Sequence, residues 1–153
     1  MQPSICPRAS CCPKSRCSHD LLAPTIAWRH CVVPLPFLPA TTPGPKPRPA
    51  LVVGVSLFED GVSIKVAYGT TQRTKSLRAG EFLISKDKHP VAFKQAGLAF
   101  DTKFDLNQVT ELPWSARYFK VPPSPAYGQT PKLGSLHGSM SKALFADYSV
   151  TRQ

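Results

Sequence analysis

Acidic residues are scarce in this chain: 9 Asp and Glu stand against 19 Lys and Arg, a formal net charge of +10. That balance favours an anionic partner, whether nucleic acid, an acidic membrane face or an acidic protein. No run of about 18 apolar residues occurs, so no membrane-spanning helix is expected. The basic residues do not gather on an amphipathic helix, which argues against a membrane surface as well. Cysteine is missing after Cys31, and the five that exist (Cys6, Cys11, Cys12, Cys17 and Cys31) crowd the first fifth of the chain. An odd number with no secretory leader in view argues against a disulfide framework. A continuous apolar leader segment is itself lacking, because Pro3, Pro7, Pro13 and Pro24 interrupt the N-terminal stretch. The expected compartment is therefore the cytoplasm. No internal repeat is found, and no cluster of carboxylates or histidines suggests a catalytic metal, so no cofactor is expected.

Proline is plentiful but uneven. Of 17 prolines, many precede Ala50 and another group falls in Val121–Pro131. The stretch between has the composition of a folded domain, with Pro-rich tails or linkers on either side. This divides the chain into residues 1–27, expected to be disordered, a domain over 28–121, and a Pro-rich linker with a terminal helix over 122–153. A zinc knot from Cys6, Cys11, Cys12, Cys17 and His19 is an alternative for the first segment. Structural zinc ligands usually come as pairs two to four residues apart, and here an adjacent pair is flanked by gaps of four residues on either side, which makes zinc the lesser reading.

Within the domain, Cys31–Phe37 is apolar and β-like, and its prolines confine it to a sheet edge or strand end. The unbroken aliphatic run Ala50–Leu57 reads as a buried strand. Asp60-Gly61 signals a hairpin turn. Val62, Ile64, Val66 and Tyr68 alternate with Ser63, Lys65 and Ala67 as a half-buried strand. Glu81–Ser85 is a short fourth strand. Pro90 suits the first turn of a helix over Val91–Ala96, with Gly97 as its left-handed cap. Leu98, Phe100, Thr102, Phe104 and Leu106 alternate as a fifth strand. Asn107–Leu112 and Trp114–Val121 are ambiguous. Leu136–Tyr148 is expected to be a terminal helix with Leu136, Met140, Ala143 and Leu144 on one face. Short strands, tight turns and few helices predict a mainly β fold: a small barrel of antiparallel strands, five to seven by the base rate for such folds. So small a core would gain from oligomerisation.

Two segments carry chemistry. In Gly44-Pro45-Lys46-Pro47-Arg48-Pro49-Ala50-Leu51-Val52-Val53, prolines on either side restrict where the Arg48 guanidinium points, and that fork matches phosphate geometry. In Ala67-Tyr68-Gly69-Thr70-Thr71-Gln72-Arg73-Thr74-Lys75, a strand ends in hydroxyls and an amide beside Gly69, which lets the backbone come close to a ligand. Residues 61–80 contain Lys65, Arg73, Lys75 and Arg78 and no acid. Such a patch suits phosphate oxygens. Lys46, Thr71, Gln72, Arg73, Lys75 and Arg78 are the candidate substrate-binding residues. Each feature taken singly is also an ordinary surface loop.

Together and in this order, the segments resemble the PemK/MazF-type toxins of bacterial toxin–antitoxin modules. The resemblance rests on Val32-Val33-Pro34-Leu35-Pro36-Phe37, Arg48-Pro49-Ala50-Leu51-Val52-Val53 and Thr70-Thr71-Gln72. It continues more weakly through Gly97-Leu98 and Lys103 to Leu112, and so covers about Trp28 to Val121. It implies an SH3-like barrel, a homodimer, an acidic antitoxin partner and metal-independent cleavage of single-stranded RNA. Arg48 and Thr70 match the positions of the family's catalytic pair. Arg29-His30 replaces the common Gly-Asp before the first strand, the loop after Thr71 is longer and more basic than the pattern, and the segment around Gln129–Leu133 has no counterpart.

Other chemistries compare poorly. A two-histidine ribonuclease would need His30 and His89 together, and nothing in the sequence unites them. Cys31 lies in an apolar strand, where a thiol behaves as a small hydrophobe. Trp114, Tyr118 and Phe119 suit either base stacking or core packing. Two functions remain open: an endoribonuclease, and a non-catalytic SH3-like module that binds nucleic acid or an acidic peptide.

Overall fold

A computed structural model describes residues 31–36 and 47–150. The expectations for residues 1–27, the zinc alternative, His30 and Lys46 lie outside these. Six strands form one antiparallel sheet in the order β4-β5-β3-β2-β1-β6. They are β1 (Cys31–Pro36), β2 (Pro47–Phe58), β3 (Gly61–Thr70), β4 (Glu81–Ile84), β5 (Thr102–Pro113) and β6 (Gly134–Ser135). Two helices, α1 (Pro90–Gln95) and α2 (Gly138–Val150), complete the described fold. The sheet curls into a half-barrel, so the expected mainly β class with few helices holds.

Alternation sorts the strands' side chains onto two buried faces. On one face Val33, Leu35, Ala50, Val52, Ile64, Val66 and Leu112 pack together, closed over by Phe119 and flanked by Tyr68, Trp114 and Tyr118. The other carries Val32, Leu51, Ala67, Phe82, Ile84 and Phe104, covered by Ala92 of α1, by Ala96 at its C-cap, and by Met140 and Leu144 of α2. Full burial of a side chain such as Phe104 or Leu51 contributes on the order of 2–3 kcal/mol. The C-terminal segment joins this core, because β6 pairs with β1 and Leu136 is buried in the same cluster.

Several local expectations are corrected. The β2–β3 turn is Glu59-Asp60, with Gly61 already paired to Phe58, one residue earlier than the Asp60-Gly61 signal implied. The fifth strand does not begin at Leu98. Gly97 takes a left-handed φ of 68° and Phe100 is 70% exposed. The chain enters β5 only after Asp101, whose carboxylate accepts hydrogen bonds from the Ser85 hydroxyl (3.0 Å) and the Lys86 N–H (2.8 Å). Asn107–Leu112 is strand. Trp114–Val121 contains a tight turn in which the Tyr118 and Phe119 N–H groups both donate to the Ser115 carbonyl. Leu136 precedes α2 rather than lying in it, and Ala143 is exposed.

Candidate functional site

The β2–β3 hairpin brings the two sequence-derived segments together. Phe58 faces Gly61, and counting back along both strands from that pair would set Arg48 opposite Thr71. A bulge between Val52 and Gly54 shifts the register by one residue, so Val52 faces Val66 and Ala50 faces Tyr68. Extended two residues beyond the last pair, Ala50 with Tyr68, this register sets Arg48 level with Thr70. The backbones stay close to that point: a Cβ on Gly69 would lie 2.9 Å from the Pro49 carbonyl oxygen.

Neighbouring pairs fix the face. Arg48 is paired with Leu35 of β1, and Thr70 with Lys103 of β5. Directly opposed residues of an antiparallel pair share a face, and Leu35 belongs to the Ala50–Val66 cluster. A Cβ on Gly69 would instead meet Thr102 and Phe104 on the other side, so Thr70 points to the Leu35 side. Arg48, Thr70 and Lys103 therefore form one row across three strands, at the margin of that buried cluster. Arg48 is exposed and Thr70 half-buried.

The Thr70 hydroxyl oxygen accepts a hydrogen bond from the Gln72 N–H at 3.2 Å. This begins the turn after β3 and leaves the hydroxyl hydrogen directed elsewhere. Thr71, Gln72, Arg73, Lys75 and Arg78 are all exposed on the loop between β3 and β4. Arg73 adopts a positive φ of 51°, uncommon for a residue with a side chain. Lys65 sits away from this loop, 4.0 Å from Glu111 in an exposed ion pair of little energetic weight.

Tyr68, Lys103 and Glu81, none of them a candidate site residue from the sequence, lie in or beside the row. Tyr68 lies one pleat from both Arg48 and Thr70 and on their face. Burial, and then the nearby Tyr118, push its phenol above the ordinary value. Lys103 is only 7% exposed, and its ammonium donates to both oxygens of Glu81 at 2.9 Å. Burial pulls the Glu81 carboxyl upward, but hydrogen bonds from Lys103 and the Arg78 N–H outweigh it and hold the group below its ordinary range. An alternating strand signal contains Lys103 without marking it, since its partner is 22 residues away in the chain. Trp114 and Phe119 pack with ring centroids 4.5 Å apart, and Tyr118 lies against the same cluster, so this aromatic group serves the core. Among the described residues, no three His, Cys, Asp or Glu side chains gather as metal ligands. No helix among them is long and apolar enough to cross a membrane.

The fold is MazF-like. The structure is similar to that of the Mycobacterium tuberculosis toxin MazF-mt6, with a TM-score of 0.52 at 15% sequence identity, covering 80% of this chain and 95% of the toxin's. No family model and no curated protein matches the sequence.

Proposed function

We propose that this protein is a metal-independent endoribonuclease of the toxin–antitoxin kind, cleaving single-stranded RNA. What supports the reading is a MazF-like fold whose β2–β3 register, extended two residues past the Ala50–Tyr68 pair, sets Arg48 level with Thr70. In the reaction the ribose 2′-hydroxyl gives up its proton to solvent and attacks the adjacent phosphorus, the bond to the 5′-oxygen breaks as that oxygen takes up a proton, and the products are a 2′,3′-cyclic phosphate and a free 5′-hydroxyl. Arg48 stabilises charge on the phosphorane through its planar fork and can supply a proton to the leaving oxygen. Thr70, its oxygen oriented by Gln72, donates its hydroxyl hydrogen to a phosphoryl oxygen. Lys46, Thr71, Gln72, Arg73, Lys75 and Arg78 bind the flanking RNA backbone, chiefly through charge.

The working form is a homodimer in the cytoplasm, held inactive by an acidic antitoxin segment that competes with RNA for Arg48 and the basic loop. The domain runs from about residue 28 into α2, since β6, Leu136, Met140 and Leu144 belong to its sheet and core, and residues 1–27 are dispensable. The direct test is incubation of the pure protein with mixed-sequence single-stranded RNA in EDTA, followed by end-group mapping. Cleavage to cyclic phosphate and 5′-hydroxyl ends is expected. Tight RNA binding without cleavage would overturn the catalytic assignment in favour of an SH3-like binding module.

A further inference from the structure

We propose that Lys103 and Glu81 are positioning residues that hold the loop between Thr70 and Glu81 in its RNA-binding shape; this rests on the reading of that loop as an RNA-binding element. The pair joins β5 to the start of β4, and it does more than join strands. The Lys103 ammonium also donates to the Ser76 carbonyl at 3.2 Å, and Glu81 accepts the Arg78 N–H at 2.7 Å. One ion pair thus supplies a donor and an acceptor to the backbone of the loop that bears Arg73, Lys75 and Arg78.

Other contacts secure the same loop to β5: Asn107 donates to the Ala79 carbonyl at 2.9 Å, and the Leu106 N–H to the Gly80 carbonyl at 2.8 Å. The left-handed Arg73 lies within it, and such backbone persists where surroundings over-determine it, commonly at ligand clamps. Fold stability alone gives little reason for a pair of this kind, because well-packed apolar residues commonly do as well in its place. What apolar residues cannot do is bond to the loop backbone or cancel a carboxylate. Glu81 faces Asp105 across β4 and β5. Without Lys103, two carboxylates would stand at the base of a loop meant for phosphates. With it, the charges of Arg73, Lys75 and Arg78 remain available to an anion.

The test compares wild type with the double variant Lys103→Met plus Glu81→Leu, which leaves net charge unchanged and replaces the pair with apolar residues. The probe is a short, mixed-sequence, 2′-deoxy-substituted RNA whose affinity is measured over a range of salt. Amide exchange is followed over residues 73–79. Expected are a folded variant, faster exchange in the loop, affinity lower by roughly tenfold, and a salt slope shallower by about one, as for a lost phosphate contact. Because net charge is constant, a change in slope reports on the loop's own basic side chains. Equal affinity and slope in a folded variant would overturn the clamp while leaving the RNA reading intact. Wild-type protein without RNA affinity would overturn the RNA reading, and the ligand assigned to the loop with it. Should the double variant not fold, Lys103→Gln plus Glu81→Gln, which again keeps net charge, is expected to show the same changes in smaller measure; unchanged affinity and slope there would overturn the clamp.

Discussion

Gly69 lies against Pro49 so closely that a Cβ would come 2.9 Å from the Pro49 carbonyl oxygen, and 2.7 Å from a Thr102 methyl on the other side. Neither neighbour can yield cheaply, since one is backbone and the other belongs to a buried threonine. Gly69→Ala must therefore push β2 from β3 at the strand ends that carry Arg48 and Thr70. Overpacking of this kind costs about 1–3 kcal/mol. The melting temperature is expected to fall by roughly 5–10 °C, and RNA cleavage to fall further than the folded fraction explains. A variant with wild-type melting and cleavage would show that the strands tolerate separation there.

Arg48→Lys keeps the charge and loses the bidentate fork. Under the proposed mechanism single-turnover cleavage should drop by ~10²–10³. Affinity for a 2′-deoxy analogue should change far less, because Arg73, Lys75 and Arg78 still attract phosphates. Thr70→Val retains shape, loses the hydroxyl and should likewise impair cleavage more than binding. Wild-type rates in both variants, or a magnesium requirement in wild type, would exclude this pair as the catalytic groups.

Acid should loosen the loop through Glu81. Its carboxyl is held below the ordinary value of 4.5, so the stabilisation it gives is fully present above that pH. It is lost as pH falls through the depressed folded-state value. Thermal melting from neutral pH down to about 3 is expected to show a decline below the ordinary glutamate range that is smaller in Glu81→Gln. Parallel declines would assign the acid sensitivity to other carboxylates.

Tyr68 gives the opposite dependence. Burial raises its phenol above 10.0, so the unfolded chain loses that proton first and stability declines as pH climbs past the ordinary phenol value. At neutral pH the phenol beside Arg48 and Thr70 is a hydrogen-bond donor. Ultraviolet titration of the native protein should contain a late tyrosine step that Tyr68→Phe removes. Retention of that step in the variant would assign it to another tyrosine.

Much of this could be read from residues alone. The aliphatic run from Ala50 and the alternation through Tyr68 determined β2 and β3, because a period of two admits little else. The Arg-Pro and Thr-Thr-Gln segments marked the strand ends that bear the candidate site. The start of β5 was misplaced, since Leu98 and Phe100 continue the alternation while the Asp101 tether ends it. The Lys103–Glu81 pair was invisible, because a lysine in an alternating strand does not reveal which carboxylate it will meet across a sheet.

The register that sets Arg48 toward Thr70 was decided by tertiary structure. A regular ladder running back from Phe58 and Gly61 would have set Arg48 against Thr71, whose side chain leaves the opposite face of the strand. The extra residue is Val53, which packs against the cluster beneath the helices, while Gly54 leaves room for the Lys65 side chain 3.5 Å from where a Cβ would stand. Composition and motif supplied the arginine and the threonines. One bulged residue, selected by packing on both faces of the sheet, set the register that turns the arginine toward Thr70 rather than Thr71.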